Sequence, residues 1–533
     1  MKKRNNRPYQ KTQRSNDRDI PSSFAIKDIS GKMIGKTALL EGMIDRISQT
    51  GGPTIFAISD GTGSFLLKGF DKPGERAFPE IEEGDCIKTR VKISEFNNTL
   101  EGEISKIQKM DSNEKDSFIK GLEAIEIERA KPKEISFLIS SPILDKLKPR
   151  FIKAATEIRL AIIKNRPIIV RHHNDADGYS SGFALERAIL PLIEKQHSST
   201  KAAWEFFARA PCAAPFYEID DSIRDTATSL RNVAKFSNKM PLVIIADNGS
   251  SSEDLLGIKQ GKVHGMDFIV VDHHYFDKDV ISQEVLVHIN PFLVEEDGTK
   301  FSAGMLCTEL ARLINQTGNI EPIPALAGFA DRVDNKNAME QYLKIAEQKG
   351  YSKKLLMDIA TVIDFVSAKL RFMEAREYIE VLFGEPREKQ KNLVNLMAPY
   401  IRQLEEKGLA MASDQAKLEK IGNVTLQTLD IESTFPGFGF YPKPGRAVGL
   451  VHDSLQEKKK LTSVITIGIM SSAITIRATE EANFSVHELI SYLRKKLPNA
   501  FIEGGGHKNA GSITFVPSQQ KEVLKYLKEF IKS

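Results

Sequence analysis

Phe268-Ile269-Val270-Val271 runs straight into Asp272-His273-His274, and two other stretches repeat the pattern. Ile168-Ile169-Val170 leads into Arg171-His172-His173-Asn174-Asp175-Ala176-Asp177-Gly178, and Leu242-Val243-Ile244-Ile245-Ala246 leads into Asp247. Three short β-like runs thus each deliver carboxylates or imidazoles just past their C-terminal ends. In an open parallel α/β sheet that edge is where sites form. Asp and His clustered without a thiolate describe a hard-to-borderline metal site, and a pair of such metals suits phosphate-ester hydrolysis.

In the first motif His173, Asp175 and Asp177 alternate, so an extended or turning segment can face all three one way. Gly178 then lets the chain turn into a helix expected near Tyr179, where Ser180, Ser181 and Gly182 permit close packing. A D-x-D-G string also occurs in calcium loops. That loop needs a Glu at its twelfth position, which counted from His173 is Ala184, and a preceding helix where residues 168–170 read as a strand. Asp247 fits a carboxylate bridging two metals; taken alone, Asp247-Asn248-Gly249-Ser250 would read as an Asx turn. In Asp272-His273-His274 one imidazole can take a metal while Asp272 orients it, leaving the other for phosphate or proton transfer. Asp331 is a candidate last ligand, with Asp334 as its neighbouring competitor.

Near the C-terminus stands Glu503-Gly504-Gly505-Gly506-His507-Lys508-Asn509-Ala510-Gly511. The glycines read as a side-chain-free loop whose N–H groups can approach a phosphate, with His507 and Lys508 adding charge-assisted contacts; a plain turn is the other reading. The segment is neither a G-x-G-x-x-G fingerprint nor a Walker loop. Arg477, at the end of a β-like run, is either a phosphate clamp or half of a surface salt bridge.

At 533 residues, length suggests three or four domains, and 41% hydrophobic with 27% charged residues is ordinary for a globular protein. No apolar stretch is long enough to span a membrane, and no apolar core follows the N-terminal charges, so a cytoplasmic protein is expected. Cys86, Cys212 and Cys307 are far apart with no paired spacing, which argues against a disulfide framework or a cysteine zinc site. The net charge of +4 leaves any nucleic-acid attraction to local patches.

Residues 1–21 read as a disordered basic tail, either solubilising or attracting phosphate. Residues 22–110 show five β-like runs and the Asp60-Gly61 hairpin signal, the pattern of an OB-fold barrel. Such barrels bind single strands by stacking bases on aromatics, and Phe56, Phe65, Phe70, Lys68 and Arg76 are candidates; each phenylalanine has barrel filling as its alternative. Residues 111–142 read as a linker or strut, 143–335 as the metal-bearing α/β domain and 336–425 as a helical insertion without a site-like cluster. Residues 426–533 return to β, beginning with an expected strand at 447–451, and form a smaller α/β domain.

With those residues in view, the chain resembles the DHH phosphoesterase superfamily. His173 to Gly178, Asp247, Asp272-His273-His274 and Asp331 look like its four motifs, and residues 503–511 look like the GGGH motif of the DHH-associated domain. With the OB-like and helical parts, the whole is similar to archaeal RecJ-like exonucleases. The resemblance implies a parallel-sheet domain and two Mn2+ ions, with Mg2+ as the other candidate. It places them on His173, Asp175, Asp177, Asp247, His273 and Asp331, with Asp247 shared. Asp175, Asp247, His273 and His274 would be catalytic; His274, Arg477, Gly504, Gly505, Gly506, His507 and Lys508 would meet substrate. The implied activity is single-strand-specific exonucleolytic hydrolysis of DNA or RNA to mononucleotides, in replication, repair or RNA processing. The alternatives are a phosphodiesterase of nano-RNA or small nucleotides, and a replication scaffold that binds GINS and the replicative helicase. One departure from the family pattern is Asn509-Ala510, where many members carry two alanines.

Overall fold

The computed structural model describes residues 23–532, except 73, 98, 198, 237–238, 317, 371–375 and 436–440. The expected basic tail lies outside the described residues. The chain divides into two compact units, residues 1–129 and 130–533.

The first unit is a closed barrel of order β1-β2-β3-β5-β4, formed by β1 Thr37–Gln49, β2 Thr54–Ser59, β3 Ser64–Gly69, β4 Cys86–Phe96 and β5 Thr99–Lys109. Alternation puts Leu40, Ile58, Leu67 and Val91 inside. Phe56 and Phe65 join them at 0% and 7% exposure, which corrects their candidacy as stacking platforms: a ring that fills the barrel offers no face to a base. The expected linker is largely a helix, α1 Ser112–Ala130. Its string of Glu and Lys lacks an apolar stripe but is rich in good helix formers, and its Leu122 and Ile125 lie over the Gly61 turn.

The second unit holds two sheets. After α2 Pro142–Ile163 come β6 Ile168–His172, α3 Ala176–His197, α4 Ala202–Phe206 and β7 Phe207–Pro211. Then follow α5 Ile219–Phe236, β8 Leu242–Ala246, α6 Asp254–Val263, β9 Asp267–Val271 and β10 Val287–Ile289. These strands are all parallel, in order β10-β9-β8-β6-β7. The residues of β8 are buried throughout, as suits a central parallel strand. From β6 the chain first crosses to β7 on one side and then returns to β8 on the other. The switch point, where ligands bind in such sheets, therefore lies between the ends of β6 and β8.

Helices α7 Ala303–Ile314 and α8 Ile323–Ala330 pack on α3, followed by α9 Lys336–Gln348, α10 Lys353–Leu370, α11 Arg376–Leu382 and α12 Arg387–Gln415. The second sheet starts earlier than the expected residue 426. It comprises β11 Lys417–Ile421, β12 Val424–Asp430, β13 Val464–Ile469, β14 Ala473–Ala478, β15 Glu503–His507 and β16 Ala510–Thr514, in order β11-β12-β13-β14-β16-β15. Helices α13 Ile431–Thr434, α14 Pro444–Lys459, α15 Val486–Lys496 and α16 Gln520–Lys532 complete it.

Two sequence expectations fail here. Residues 447–451 lie inside α14, not in a strand: Pro444 opens the helix, and Ala447, Val448, Val451 and Leu455 recur on its buried face. The triple glycine is not a loop but the middle of β15, paired with β16 from Glu503↔Thr514 to His507↔Ala510. Among the described residues no helix is long and apolar enough to cross a membrane.

Candidate metal and phosphate site

Backbone pairing continues one residue past each central strand. His173 N–H donates to the Ala246 carbonyl (3.3 Å), Asp247 N–H to Val271 (2.9 Å) and Asp272 N–H to Ile289 (2.9 Å). The ladder thus sets His173, Asp247 and Asp272 side by side at the sheet edge. Asp247 occupies the left-handed region, with φ +61°, a conformation that Asp tolerates better than most residues and that clusters at functional sites.

The side chains form two adjoining sets around Asp247. His173 Nδ1 is 2.8 Å from Asp175 Oδ2 and 3.6 Å from Asp247 Oδ2. His273 Nε2 is 3.3 Å from Asp247 Oδ1, 3.8 Å from Asp177 Oδ2 and 3.6 Å from Asp331 Oδ2. Asp247 therefore turns one oxygen to each set. His173, Asp175 and Asp247 have donor atoms close enough to share one ion, as do Asp177, His273 and Asp331. The residues fit such ions: Asp247 Oδ2 and His273 Nε2 are buried without a hydrogen-bond partner, a costly condition that a cation relieves.

Burial pulls the His173 imidazole down, but Asp175 and Asp247 lift it well above its ordinary value. Burial and the charge of Asp247 push Asp331, which His273 draws down, up to about 6. Burial also raises Asp177, reinforced by Asp247 and Asp331. Its oxygens accept the Ala303 and Gly304 N–H groups at the start of α7, each at 2.9 Å.

Asp272 stands behind the metal sets. It accepts His274 Nδ1–H (2.8 Å) and the N–H groups of His273 (2.7 Å), His274 (3.2 Å) and Ser250 (3.2 Å). The imidazole oriented by its side chain is that of His274, whose Nε2 stays available. His273 takes its orientation elsewhere: its Nδ1 bonds the Gly298 carbonyl at 3.2 Å, which turns Nε2 toward the carboxylates.

The second sheet forms the opposite wall of a cavity of about 610 Å3 lined by His173, Asp175, His274, Arg477, His507 and the three glycines, among others. His507 stacks on His274 (4.9 Å between centroids, 20° between planes) and sits 5.2 Å from His273. Burial, with His274 and His273 beside it, keeps the His507 imidazole well below its ordinary value and so neutral. Arg477 is largely buried, without an anionic partner among the described residues, and its guanidinium lies 3.8 Å from where Gly449 would carry a Cβ. Lys508 is not brought in: it sits exposed in the two-residue turn between β15 and β16, outside the cavity lining. Two ion pairs span the domains, Arg332–Asp453 (2.9 Å) and Arg494–Glu253 (2.7 Å).

The helical insertion, read as carrying no site-like cluster, supports the first motif. Asp364 on α10 accepts the Ala176 N–H at 2.9 Å, capping α3 from outside. Lys443 Nζ donates to the Asn174 carbonyl (2.9 Å) and to Ser367 Oγ on α10 (2.8 Å). Asp364→Ala is expected to lower Mn2+ affinity by about 10- to 100-fold, the usual result of losing an outer support, and to lower stability by about 1 kcal/mol as a lost cap. Mn2+ titration and thermal melting of the variant check both.

On the barrel, Phe70 and Phe96 are exposed at 60% and 58%. Lys68 Nζ lies 4.2 Å from the centre of the Phe96 ring and also pairs with Glu101. Arg76 is exposed and donates to the Ile81 carbonyl at 2.6 Å. Phe96 escaped the sequence reading because nothing marks a lone aromatic at a hairpin tip as outward-facing.

Comparison with known proteins agrees with this arrangement. The profile of the DHH family, N-terminal domain, matches residues 167–330, and that of an OB-fold nucleic acid binding domain matches residues 38–110. A Methanocaldococcus jannaschii protein designated MJ1198 is 34% identical over 550 aligned positions, covering 97% of this chain and 72% of its own. The chain belongs to the DHH family. A solved structure, the DHH domain of PF0399, described as a member of a family of ribosomal proteins, is 37% identical with a TM-score of 0.73. The match covers 78% of this DHH-family chain and 98% of that one. RecJ of Thermus thermophilus, solved with Mn2+, is 16% identical with a TM-score of 0.49, covering 74% of this chain and 55% of its own.

Proposed function

We propose that this chain is a metal-dependent phosphodiesterase that degrades single-stranded DNA or RNA from an end, releasing mononucleotides. The observation that carries the reading is Asp247, with one oxygen toward His173 and Asp175 and the other toward His273, which stands beside Asp177 and Asp331. Two divalent cations held there, Mn2+ or Mg2+, would supply a nucleophilic water and neutralise phosphoryl charge. Asp272 fixes the Nδ1 proton of His274, so its Nε2 can meet a phosphoryl or leaving oxygen. Arg477 donates to a phosphate oxygen without first breaking an ion pair. His507, neutral and stacked on His274, can hydrogen-bond the same group. The barrel supplies a second surface for a strand, with Phe70 and Phe96 as stacking faces.

DNA and RNA strands of graded length, labelled separately at each end, are incubated with Mn2+ beside an Asp175→Ala control. Stepwise release of mononucleotides by the wild type alone supports the reading and fixes polarity. Cleavage limited to the shortest strands favours a small-oligonucleotide phosphodiesterase. Strand binding without cleavage overturns catalysis and favours a scaffold.

A pH effect follows from Asp331. Pushed up to about 6 in the metal-free protein, it carries a proton below that pH that a cation must displace, in addition to those on the raised His173 and His273 imidazoles. Affinity for Mn2+ is therefore expected to fall as pH drops through 6, with proton uptake by the protein on metal release. Calorimetry in buffers of different ionisation enthalpy reads this; binding without proton exchange near pH 6 contradicts it.

A further inference from the structure

The cavity that meets the metal set is also lined by Phe216, Asn248, Tyr275 and His487, none of which is needed to hold a cation. We propose that Phe216, Tyr275 and His487 form a pocket for the nucleobase beside the scissile phosphate, an inference that rests on the nuclease reading.

The aromatic surfaces come first. Tyr275 is fixed edge-on against Phe292 (5.3 Å, 90°) and lies 4.8 Å from the His487 ring. Phe216 lies against the glycine strand: a Cβ on Gly505 would come within 3.0 Å of its ring. The missing side chain at 505 thus leaves the ring its place in the cavity wall. Every base has a π-face, so stacking of this kind tolerates sequence.

The polar atoms identify the ligand further. Asn248 is 3% exposed and its side chain reaches the buried Cys212 thiol, so its amide is left out of the pocket. His487 Nε2 is buried and has no hydrogen-bond partner. The other nitrogen of that ring bonds the Gly506 backbone, and burial lowers the imidazole, so it is neutral and Nε2 is an acceptor. One unmatched acceptor thus lies in the pocket wall. A phosphate offers acceptors only and would leave His487 Nε2 unmatched, whereas the edge of a base carries donors as well. Arg477, by contrast, offers donors alone and suits the phosphate.

The test measures one ratio: kcat/KM for a labelled strand with a normal terminal nucleotide over that for the same strand ending in an abasic residue. The wild type is expected to prefer the base by about tenfold or more, the scale of one stacked base. Tyr275→Ala and His487→Ala are expected to bring the ratio toward one, and Tyr275→Phe, which keeps the ring, to retain it. Variants that slow both strands alike with the ratio intact would show a merely structural role and overturn the pocket. Wild-type protein is assayed in parallel on bis(p-nitrophenyl) phosphate, which has no base. Hydrolysis of this ester with no preference between the strands overturns the pocket alone. Failure on all three substrates overturns the nuclease reading, and the pocket with it.

Discussion

Asp247→Asn is expected to abolish hydrolysis while leaving the metal-free protein folded. The loss should reach at least about 10²- to 10³-fold, the scale of removing one preorganised electrostatic partner. It should be larger if both metals depend on this one side chain. Stability is the more discriminating half. Asp247 is 1% exposed, its Oδ2 bonds nothing, and His273 Nε2 brings Asp177 and Asp331 close around the same point. Without metal, Asp247 is repelled by the neighbouring carboxylates but attracts the His173 and His273 imidazoles, both of which it helps to lift well above their ordinary value. Asparagine keeps the shape, tolerates the φ of +61° and removes one charge. The two effects oppose, so melting without metal should change little, and the further rise on adding Mn2+ should shrink. A variant that cleaves normally would remove Asp247 from the site; one that melts well below the wild type would make it a structural residue.

The legible part of this protein is the part where sequence and geometry coincide. In the parallel sheet, each apolar run ends where its ligand begins, because the strand's hydrogen-bond ladder itself carries His173, Asp247 and Asp272 to the edge. Sequence neighbours are spatial neighbours there. Asp364 and Lys443 could not be read in the same way. One caps α3 from a helix nearly two hundred residues on, the other reaches Asn174 from beyond the insertion, and only tertiary packing brings them together. Short apolar runs were ambiguous for a different reason. Residues 447–451 suit a strand as well as a helix until Pro444 and the spacing to Leu455 are weighed. The glycine run misled because side-chain-free residues read as a loop, whereas here they keep strand pairing and leave room for Phe216.

Gly298→Ala is expected to be nearly as damaging as the loss of a ligand, although Gly298 holds no metal and stands outside every sequence motif. A Cβ at this position would lie 1.9 Å from the His273 carbonyl oxygen and 2.7 Å from the Phe292 ring. Backbone cannot yield as a flexible side chain does, so the segment must move. That segment carries the carbonyl that accepts from His273 Nδ1 and so determines which nitrogen faces Asp247, Asp177 and Asp331. With it displaced, the imidazole loses both its tautomer and its angle. Supports of this kind typically matter by about 10- to 100-fold in metal affinity or activity, and overpacking adds about 1–3 kcal/mol of destabilisation. The two effects separate by experiment. Excess Mn2+ should restore part of the activity if orientation of His273 is the main loss, and none if the fold has failed. Unaltered Mn2+ affinity in a folded variant would mean that His273 is held without Gly298.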